Sequence, residues 1–215
     1  LLIVASLASL TWAFAGILNP AMSQLHAFVS EYSARDQPWR YLFQTTDVIM
    51  GTLLCLAGLA TLVWARHRPL GRQGWSGVGF VAGGFFSVLD ALVTMDCSPT
   101  RSQACMAAEE AGHVSVNHIV HVGTSTIVVV GFALPILLLN STMTRFRGFG
   151  LVVTWAWVVF TLLNGIGAVG WFVGTPMDYT GIWQRFSLGL GTLWWLILAA
   201  DDIVTARVQD RARSC

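Results

Sequence analysis

Residues 92–125 read LVTMDCSPTRSQACMAAEEAGHVSVNHIVHVGTS, and this stretch links two apolar segments of the chain through a polar connector. It holds Asp96, two cysteines, a pair of adjacent glutamates and three of the five histidines. Ionisable groups are costly to bury in hydrocarbon unless they meet a partner or serve a function. The stretch therefore predicts two membrane helices joined by a polar connector, and it marks the place where a functional site would lie.

The composition is that of a membrane protein with several spans. Of the 215 residues, 55% are hydrophobic and 11% are charged, whereas soluble domains carry about 25% charged residues. The ten tryptophans fit the aromatic belts that anchor helices at the two membrane surfaces. A net charge of +1 predicts no nucleic-acid partner. The expected partner is membrane lipid.

The apolar runs predict an all-α bundle of six transmembrane helices that forms one domain over residues 1–215. Each run is close in length to the roughly 20 residues that cross a bilayer as a helix. The first run is longer than the apolar core of a signal peptide, so we interpret it as a retained span. The predicted spans are residues 1–18, 41–64, 75–94, 116–139, 149–173 and 183–206.

The arginines predict how the bundle is oriented in a bacterial cell membrane. Cytoplasmic connectors carry an excess of basic residues. Eight of the twelve arginines fall on the side of both predicted termini, namely Arg66, Arg68, Arg72, Arg145, Arg147, Arg207, Arg211 and Arg213. Both termini are therefore expected in the cytoplasm, and the connectors at residues 19–40, 95–115 and 174–182 outside. Most acidic residues and histidines lie in the outer half, which predicts a polar site facing the outside.

Two glycines of the third predicted span form a small-xxx-small pair. Gly79 and Gly83 are four residues apart, so they share one helix face. Small residues at this spacing let two membrane helices approach closely, and we predict close helix packing at this face.

Cys97 and Cys105 lie eight residues apart in the polar connector, with Pro99 between them. Outside the cytoplasm such a pair can oxidise, and closing the loop stabilises it. The spacing differs from the C-x₂₋₄-C pairs of zinc knuckles. We therefore predict a disulfide, with a pair of metal-binding thiolates as the alternative.

His118 and His121 are three residues apart and share one helix face, with Ser125 one turn deeper on it. Two neutral imidazoles within one turn can bind a single metal ion. We predict that these histidines bind zinc together with Asp96. The alternative is a pair of interfacial histidines that form hydrogen bonds to their neighbours.

Asp47 and Asp90 are carboxylates inside predicted spans, where each must face the bundle interior and pair with a cation or metal, or be protonated. Gln184 and Arg185 open the last predicted span. Arg185 is predicted to neutralise one of these carboxylates or to bind an anionic lipid headgroup. The alternatives are an arginine that snorkels to the interface and an aspartate held in a structural hydrogen bond.

Catalytic and substrate-binding roles are predicted for further residues around this site. Asp90 or Glu110 is the candidate general base. Ser30 is a further candidate catalytic residue, which would orient a lipid headgroup together with Arg185. The candidate substrate-binding residues are Arg185, Gln184, Glu31 and Asp47. As the alternative, Ser30 and Glu31 cap a short helix.

Three stretches together resemble a known family: VSEYSARDQPWRYLFQTTDVIMG at residues 29–51, MDCSPTRSQAC at residues 95–105 and SVNHIVHVGTS at residues 115–125. They are similar to the bacterial six-span membrane family catalogued as domain of unknown function 998. The resemblance covers nearly the whole chain and implies no settled function. The positions that match the family pattern are Ser30, Glu31, Asp47, Asp96, Cys97, Cys105, His118 and His121.

A weaker analogy links the chain to the membrane hydrolases that include alkaline ceramidases and the progestin and adiponectin receptors. Those proteins are understood to use three histidines, an aspartate and a serine around zinc within a helical bundle. The analogy implies zinc chemistry at similar residue types here. The chain differs in its six apparent spans and in H-x-x-H where those proteins have H-x-x-x-H.

Two classes of function fit the sequence. The preferred hypothesis is a metal-dependent hydrolase that acts on an outer-leaflet lipid or a lipid-linked ester or amide, with zinc activating water. The alternative is a non-enzymatic membrane module, meaning a lipid binder, an accessory subunit or a small transporter with an ion or proton relay. A homo-oligomer or a complex with another membrane protein is compatible with either class.

Overall fold

The structure is a computed structural model that describes residues 1–67, 70–173 and 179–214, and within them the chain forms helices and no strand. The α-helices are α1 (Leu2–Ser9), α2 (Ala15–Leu18), α3 (Arg40–Ala65), α4 (Arg72–Leu92), α5 (Gln103–Glu110), α6 (Val116–Leu138), α7 (Arg147–Phe172) and α8 (Thr180–Ser214). Short 3₁₀ helices lie at Leu10–Phe14, Val29–Ser33 and Leu139–Ser141.

Five of the described helices, α3, α4, α6, α7 and α8, are long and apolar enough to cross a membrane. The prediction of an all-α protein with several membrane spans is confirmed. The predicted boundaries of these five helices differ from the observed ones by a few residues, except that α8 continues to Ser214. The first apolar segment, Leu2–Leu18, is shorter than the other five. In the predicted connector at residues 174–182, residues 174–178 lie outside the described residues.

The first apolar segment is not one continuous α-helix, because it changes to a 3₁₀ helix at Leu10–Phe14. Ser9 Oγ donates to the carbonyl of Ser6 at 2.8 Å, and Thr11 Oγ1 donates to the carbonyl of Ala8 at 2.9 Å. Side-chain hydroxyls that bond nearby carbonyls compete with the regular helical ladder. The segment still packs against α3 and α8, so it is part of the bundle.

Helix α4 lies between α3 and α6, and glycine permits the close approach to α6. A Cβ built on Gly79 would lie 2.6 Å from the carbonyl oxygen of Gly131. A Cβ built on Gly131 would in turn lie 2.5 Å from the backbone nitrogen of Gly83. The predicted close packing at Gly79 and Gly83 is confirmed, and α6 is the helix that approaches them.

Aromatic and polar side chains join α7 and α8 to the unit formed by α3, α4 and α6. Phe132 of α6 meets Trp195 of α8 edge to face, with ring centroids 5.1 Å apart. The indole nitrogen of Trp194 donates to Asn140 Oδ1 at 3.2 Å, and Asn140 Nδ2 donates to Thr154 of α7 at 2.6 Å. Buried polar groups that pair in this way fix how α7 and α8 sit on the 3₁₀ helix that follows α6.

The candidate site residues collect at one end of the bundle, where α3 begins, α4 ends and α6 begins. We call this the site end. Residues 19–39 and 93–115 cover it, and α5 lies within the second of these two segments. The Arg35 backbone nitrogen donates to the carbonyl of Met95 at 3.0 Å, which ties the two covering segments together.

Candidate functional site

Asp90, near the end of α4, faces His121 in the second turn of α6. The Nδ1 atom of His121 lies 3.2 Å from Asp90 Oδ1 and 3.2 Å from the Asp90 carbonyl oxygen. Thr124 Oγ1 also donates to Asp90 Oδ1, and Ser125 Oγ donates to the two carboxylate oxygens at 3.0 and 3.1 Å. One turn of α6 therefore supplies three partners for this carboxylate.

These contacts assign the tautomer of His121. Both atoms near Nδ1 are oxygen acceptors, so Nδ1 carries the proton and donates it towards Asp90. In the neutral ring, Nε2 is then a hydrogen-bond acceptor and a base. The side chain is buried, and Nε2 has no hydrogen-bond partner among the described residues.

His118 has the opposite tautomer. The backbone N–H of Asp96 donates to His118 Nδ1 at 3.3 Å, so Nδ1 is the acceptor and Nε2 carries the proton. His118 is 1% exposed, and its Nε2 lacks a hydrogen-bond partner within the described chain. The nearest carboxylate oxygen is Glu109 Oε1, at 3.9 Å. His118 therefore presents a donor, whereas His121 presents an acceptor, on one face of α6.

Asp96 fixes the start of α6. Its carboxylate accepts from the backbone nitrogen of Ser115 at 2.6 Å, from Ser115 Oγ at 2.7 Å and from Arg35 Nη1 at 3.2 Å. Partial burial alone would raise the pKa of Asp96, but the hydrogen bonds from Ser115 and the charge of Arg35 hold it below its usual value. Asp96 contacts His118 through its backbone N–H, whereas its carboxylate is bound by Ser115 and Arg35.

Helix α5 brings Glu109, rather than Glu110, to the site. Glu109 Oε1 is the carboxylate oxygen 3.9 Å from His118, and Glu109 Oε2 is buried without a hydrogen-bond partner among the described residues. Glu110 is exposed to solvent. Glu109 lies one helical turn after the buried Cys105, and this i, i+4 relation is the sequence signal that favours it.

Glu31 is fully buried, and its carboxylate joins the two covering segments. Oε1 accepts from the backbone nitrogen of Phe28 at 2.9 Å, and Oε2 accepts from Thr100 N at 3.0 Å, from Thr100 Oγ1 at 2.6 Å and from Ser98 Oγ. Burial raises the pKa of Glu31, although these hydrogen bonds oppose the rise. The neighbouring Ser30 accepts from Ser33 through its carbonyl, and its hydroxyl bonds to no described residue.

Arg185 and Gln184 hold the first covering segment. The guanidinium donates to the carbonyls of Gln24, Ala27 and Gly181 at 2.8–2.9 Å, and Val29 N donates to Gln184 Oε1. Among the described residues, Arg185 forms no ion pair with Asp47 or Asp90. Asp47 and Asp90 lie on α3 and α4, two helices that pack against each other.

The described residues do not offer a zinc site in this arrangement. Zinc in proteins takes three or four side-chain ligands. No group of three or more His, Cys, Asp and Glu side chains in the described ranges could hold a metal ion. The His118 Nε2 atom carries a proton, and the Asp96 carboxylate is bound by Ser115 and Arg35. The predicted zinc therefore stays a prediction without support from this geometry.

The covering segment between α4 and α6 is closed by a pair of cysteines. The sulfurs of Cys97 and Cys105 are at disulfide distance, and their Cα atoms are 6.0 Å apart. The pairing agrees with the sequence-based prediction. It joins the residue after Asp96 to the first turn of α5, and both of these elements contact His118.

These features define the class of the protein, which is an all-helical, multi-pass membrane protein with a polar cluster at one end of its bundle. Within that class, the chain belongs to the family described as "Protein of unknown function (DUF998)", whose family model matches residues 2–201. The resemblance noted from the sequence is thereby confirmed. Neither the curated proteins nor the solved structures compared with the chain include a match. The function must therefore be argued from the site.

Proposed function

We propose that the chain is a membrane-embedded hydrolase that cleaves an ester or amide bond of an outer-leaflet lipid, or of a lipid-linked molecule, in a bacterial cell membrane. The observation that carries this proposal is the pair of buried Nε2 atoms on His118 and His121. One is a hydrogen-bond donor and the other an acceptor, and neither has a hydrogen-bond partner among the described residues. Hydrolysis of a carbonyl compound needs such a base and such a donor.

In the proposed reaction, His121 Nε2 accepts a proton from water while the water oxygen attacks the carbonyl carbon. Asp90 stabilises the imidazolium that forms, as the carboxylate does in a serine-protease triad. His118 Nε2–H donates to the carbonyl oxygen as it becomes negative. His121 then returns its proton to the leaving oxygen or nitrogen. The products are a carboxylic acid and an alcohol or amine, and both catalytic groups return to their starting state.

The membrane arrangement is part of the proposal. We place Leu2–Leu18 across the bilayer as a sixth span and both termini in the cytoplasm, so that the site end faces outside. Support comes from the arginines at the opposite end of the bundle, including Arg66, Arg72, Arg145 and Arg147. A substrate in the outer leaflet would then reach the two imidazoles from the membrane surface.

The direct test is lipid hydrolysis by purified protein in vesicles of phosphatidylglycerol and phosphatidylethanolamine, with products detected by mass spectrometry. The protein should release fatty acid or another acyl product, and His121→Ala should abolish the release. His113→Ala is the matched control, because His113 is an exposed histidine of the covering segment. An unchanged rate in His121→Ala would refute the proposal.

The same assay decides whether a metal takes part. The proposed acid–base reaction uses only protein groups and water, so a chelator should leave the rate unchanged. Loss of activity in chelator, with recovery on addition of zinc, would instead support the metal-dependent form predicted from the sequence.

A second candidate function is a non-enzymatic module with a proton relay. The observation that favours it is Asp47, which lies in α3, the helix packed against the α4 helix of Asp90, and forms no hydrogen bond to a described residue. Carboxylates and histidines in series within a membrane are typical of proton pathways. Proton flux into vesicles that Asp47→Asn abolishes, without any lipid product, would establish this function instead.

A further inference from the structure

A polar cavity of about 230 Å³ lies at the site end, between the start of α3 and the end of α4. Among the described residues, two arginines and no acidic side chain line it. Its lining residues are Arg35, Arg40, Tyr41, Gln44, Ala91, Leu92 and Thr94. A concave site with two guanidinium groups and no carboxylate attracts an anion.

The two arginines differ in how their charge is balanced. Arg35 Nη1 lies 3.2 Å from Asp96 Oδ1, so Arg35 has a counter-charge. Arg40 forms no ion pair with a described carboxylate. Its Nη1 donates to the carbonyl of Arg35 at 2.9 Å, and its Nη2 donates to the hydroxyl of Tyr41 at 2.6 Å. Arg40 is thus held in position while its charge stays unneutralised.

Two further polar groups of the cavity, the hydroxyls of Tyr41 and Thr94, are suited to oxyanion binding. The Tyr41 hydroxyl accepts from Arg40, which leaves its own proton free to donate to a ligand. Thr94 is only 6% exposed, and its hydroxyl forms no hydrogen bond to a described residue. Guanidinium and hydroxyl donors of this kind bind phosphate oxygens well.

The position of the cavity indicates the source of the anion. Arg40 is the first residue of α3, so the cavity lies at the membrane-surface end of a span, where lipid headgroups are found. Ala91 and Leu92 directly follow Asp90 in α4, so a headgroup bound here would keep the rest of its lipid beside the proposed active site. We infer that this cavity binds the phosphate of a lipid headgroup. This inference rests on the proposed function and specifies its substrate class as a phosphate-bearing lipid.

The test is lipid binding to the full chain, measured by native mass spectrometry in a His121→Ala background that prevents turnover. Phosphatidylglycerol should bind more tightly than a diacylglycerol with the same acyl chains. Arg40→Gln should weaken phosphatidylglycerol binding about tenfold, because it removes a charge-assisted contact. Arg66→Gln, at the other end of α3, is the matched control and should bind phosphatidylglycerol normally. Equal binding of the two lipids, or no effect of Arg40→Gln, would overturn the inference.

Two further measurements test the contribution of the Tyr41 hydroxyl and the source of the bound phosphate. Tyr41→Phe removes one hydroxyl from an exposed side chain, so it should weaken binding by a smaller factor without unfolding the chain. Inorganic phosphate is the competitor that identifies the source. Weak competition assigns the site to a lipid headgroup, whereas phosphate binding as tight as the lipid's would overturn that assignment. Because the His121→Ala background blocks turnover, lipid binding is measured without hydrolysis. The binding site and the proposed hydrolase activity are therefore tested separately.

Discussion

Asp90 and His121 face each other across the contact between α4 and α6, with His121 Nδ1 3.2 Å from Asp90 Oδ1. The same carboxylate also accepts from the hydroxyls of Thr124 and Ser125. Asp90 therefore has the geometry of a group that orients an imidazole. The sequence alone suggested Asp90 or Glu110 as the general base, whereas the mechanism proposed above assigns that role to His121 Nε2.

Replacing Asp90 by Asn tests this relationship. The amide can present its NH₂ group to His121 and thereby favour the tautomer with the proton on Nε2, which is no longer a base. In a serine protease the equivalent change lowers kcat about 10⁴-fold. We expect Asp90→Asn to lower lipid hydrolysis by roughly 10³–10⁴-fold. The control is Asp202→Asn, because Asp202 is an exposed residue in the C-terminal half of α8. A wild-type rate in Asp90→Asn would show that the dyad has no catalytic role.

The tautomers can be observed directly, without any activity. In protein with ¹⁵N-labelled histidine, studied at alkaline pH where imidazoles are neutral, His121 should show a protonated Nδ1. His118 should show a protonated Nε2, because its Nδ1 accepts from the backbone of Asp96. His121→Gln and His118→Gln assign the two signals, each by removing one. The opposite assignment would remove the basis for the proposed division of roles.

Two glycines in α6 give a matched pair for the packing argument. A Cβ at Gly131 would lie 2.5 Å from the backbone nitrogen of Gly83, whereas a Cβ at Gly123 would meet no atom of a described residue within 4 Å. Gly131→Ala should therefore lower the free energy of unfolding by about 1–3 kcal/mol, because backbone cannot yield as a side chain can. Gly123→Ala should be neutral or stabilise by up to about 1 kcal/mol. Thermal unfolding in detergent measures both, and equal effects would contradict the close approach.

Much of the fold follows from the sequence, because the membrane limits the available structures. Apolar runs of the required length become helices, since each backbone polar group must be satisfied within its own segment. The first apolar run, residues 1–18, was the exception, because it does not form one continuous α-helix. Hydroxyls of Ser9 and Thr11 bond nearby carbonyls and change the helix at Leu10–Phe14, and apolar length does not reveal this. Helix α5 was also missed, although Ser102 caps it by accepting from Cys105 N.

The site was only partly predictable. The i, i+3 spacing placed His118 and His121 on one buried face, as the structure has them. The partners on other elements could not be read from spacing, because they depend on how α4, α5 and α6 pack. Glu109 rather than Glu110 meets His118, and Arg185 binds carbonyls of the first covering segment rather than a carboxylate. A long side chain can reach several acceptors, so its partner is decided only by the fold.

The buried Glu31 predicts a pH dependence of stability. Burial raises its pKa above the ordinary value of 4.5. The folded state then holds this proton more tightly than the unfolded state does. The contribution to the free energy of unfolding is therefore full below pH 4.5 and is lost as the pH rises through the raised folded pKa. Acidification from neutral pH should raise the thermal stability through this group.

Glu31→Gln, which cannot titrate, should lack this gain on acidification. The measurement is the thermal unfolding midpoint in detergent as a function of pH, compared between the wild-type chain and the variant. Glu110→Gln is the control, because Glu110 is exposed and should leave the wild-type pH dependence intact. Identical pH profiles for wild type and Glu31→Gln would show that Glu31 does not contribute.

The cysteine pair should hold the site together as well as stabilise the loop. Cys97 follows Asp96, whose N–H donates to His118, and Cys105 lies one turn before Glu109 on α5. Opening the bond frees both supports of His118. For a loop with a sequence separation of 8 residues, we expect reduction to lower the free energy of unfolding by about 2–3 kcal/mol. Reduction should also lower the rate of lipid hydrolysis.

The experiment compares unfolding midpoints and hydrolysis rates with and without reductant. Reductant should lower both in the wild-type chain and have no effect in a Cys97→Ser, Cys105→Ser double variant, which should already resemble the reduced wild type. Cys55→Ser is the control, because Cys55 is a free thiol within α3 whose donation to the Val81 carbonyl a serine hydroxyl can replace. If reductant lowers the midpoint of the double variant as much as that of the wild type, the effect does not arise from this bond. If it lowers the midpoint of the wild type alone while the hydrolysis rate is retained, the bond stabilises the loop without positioning His118.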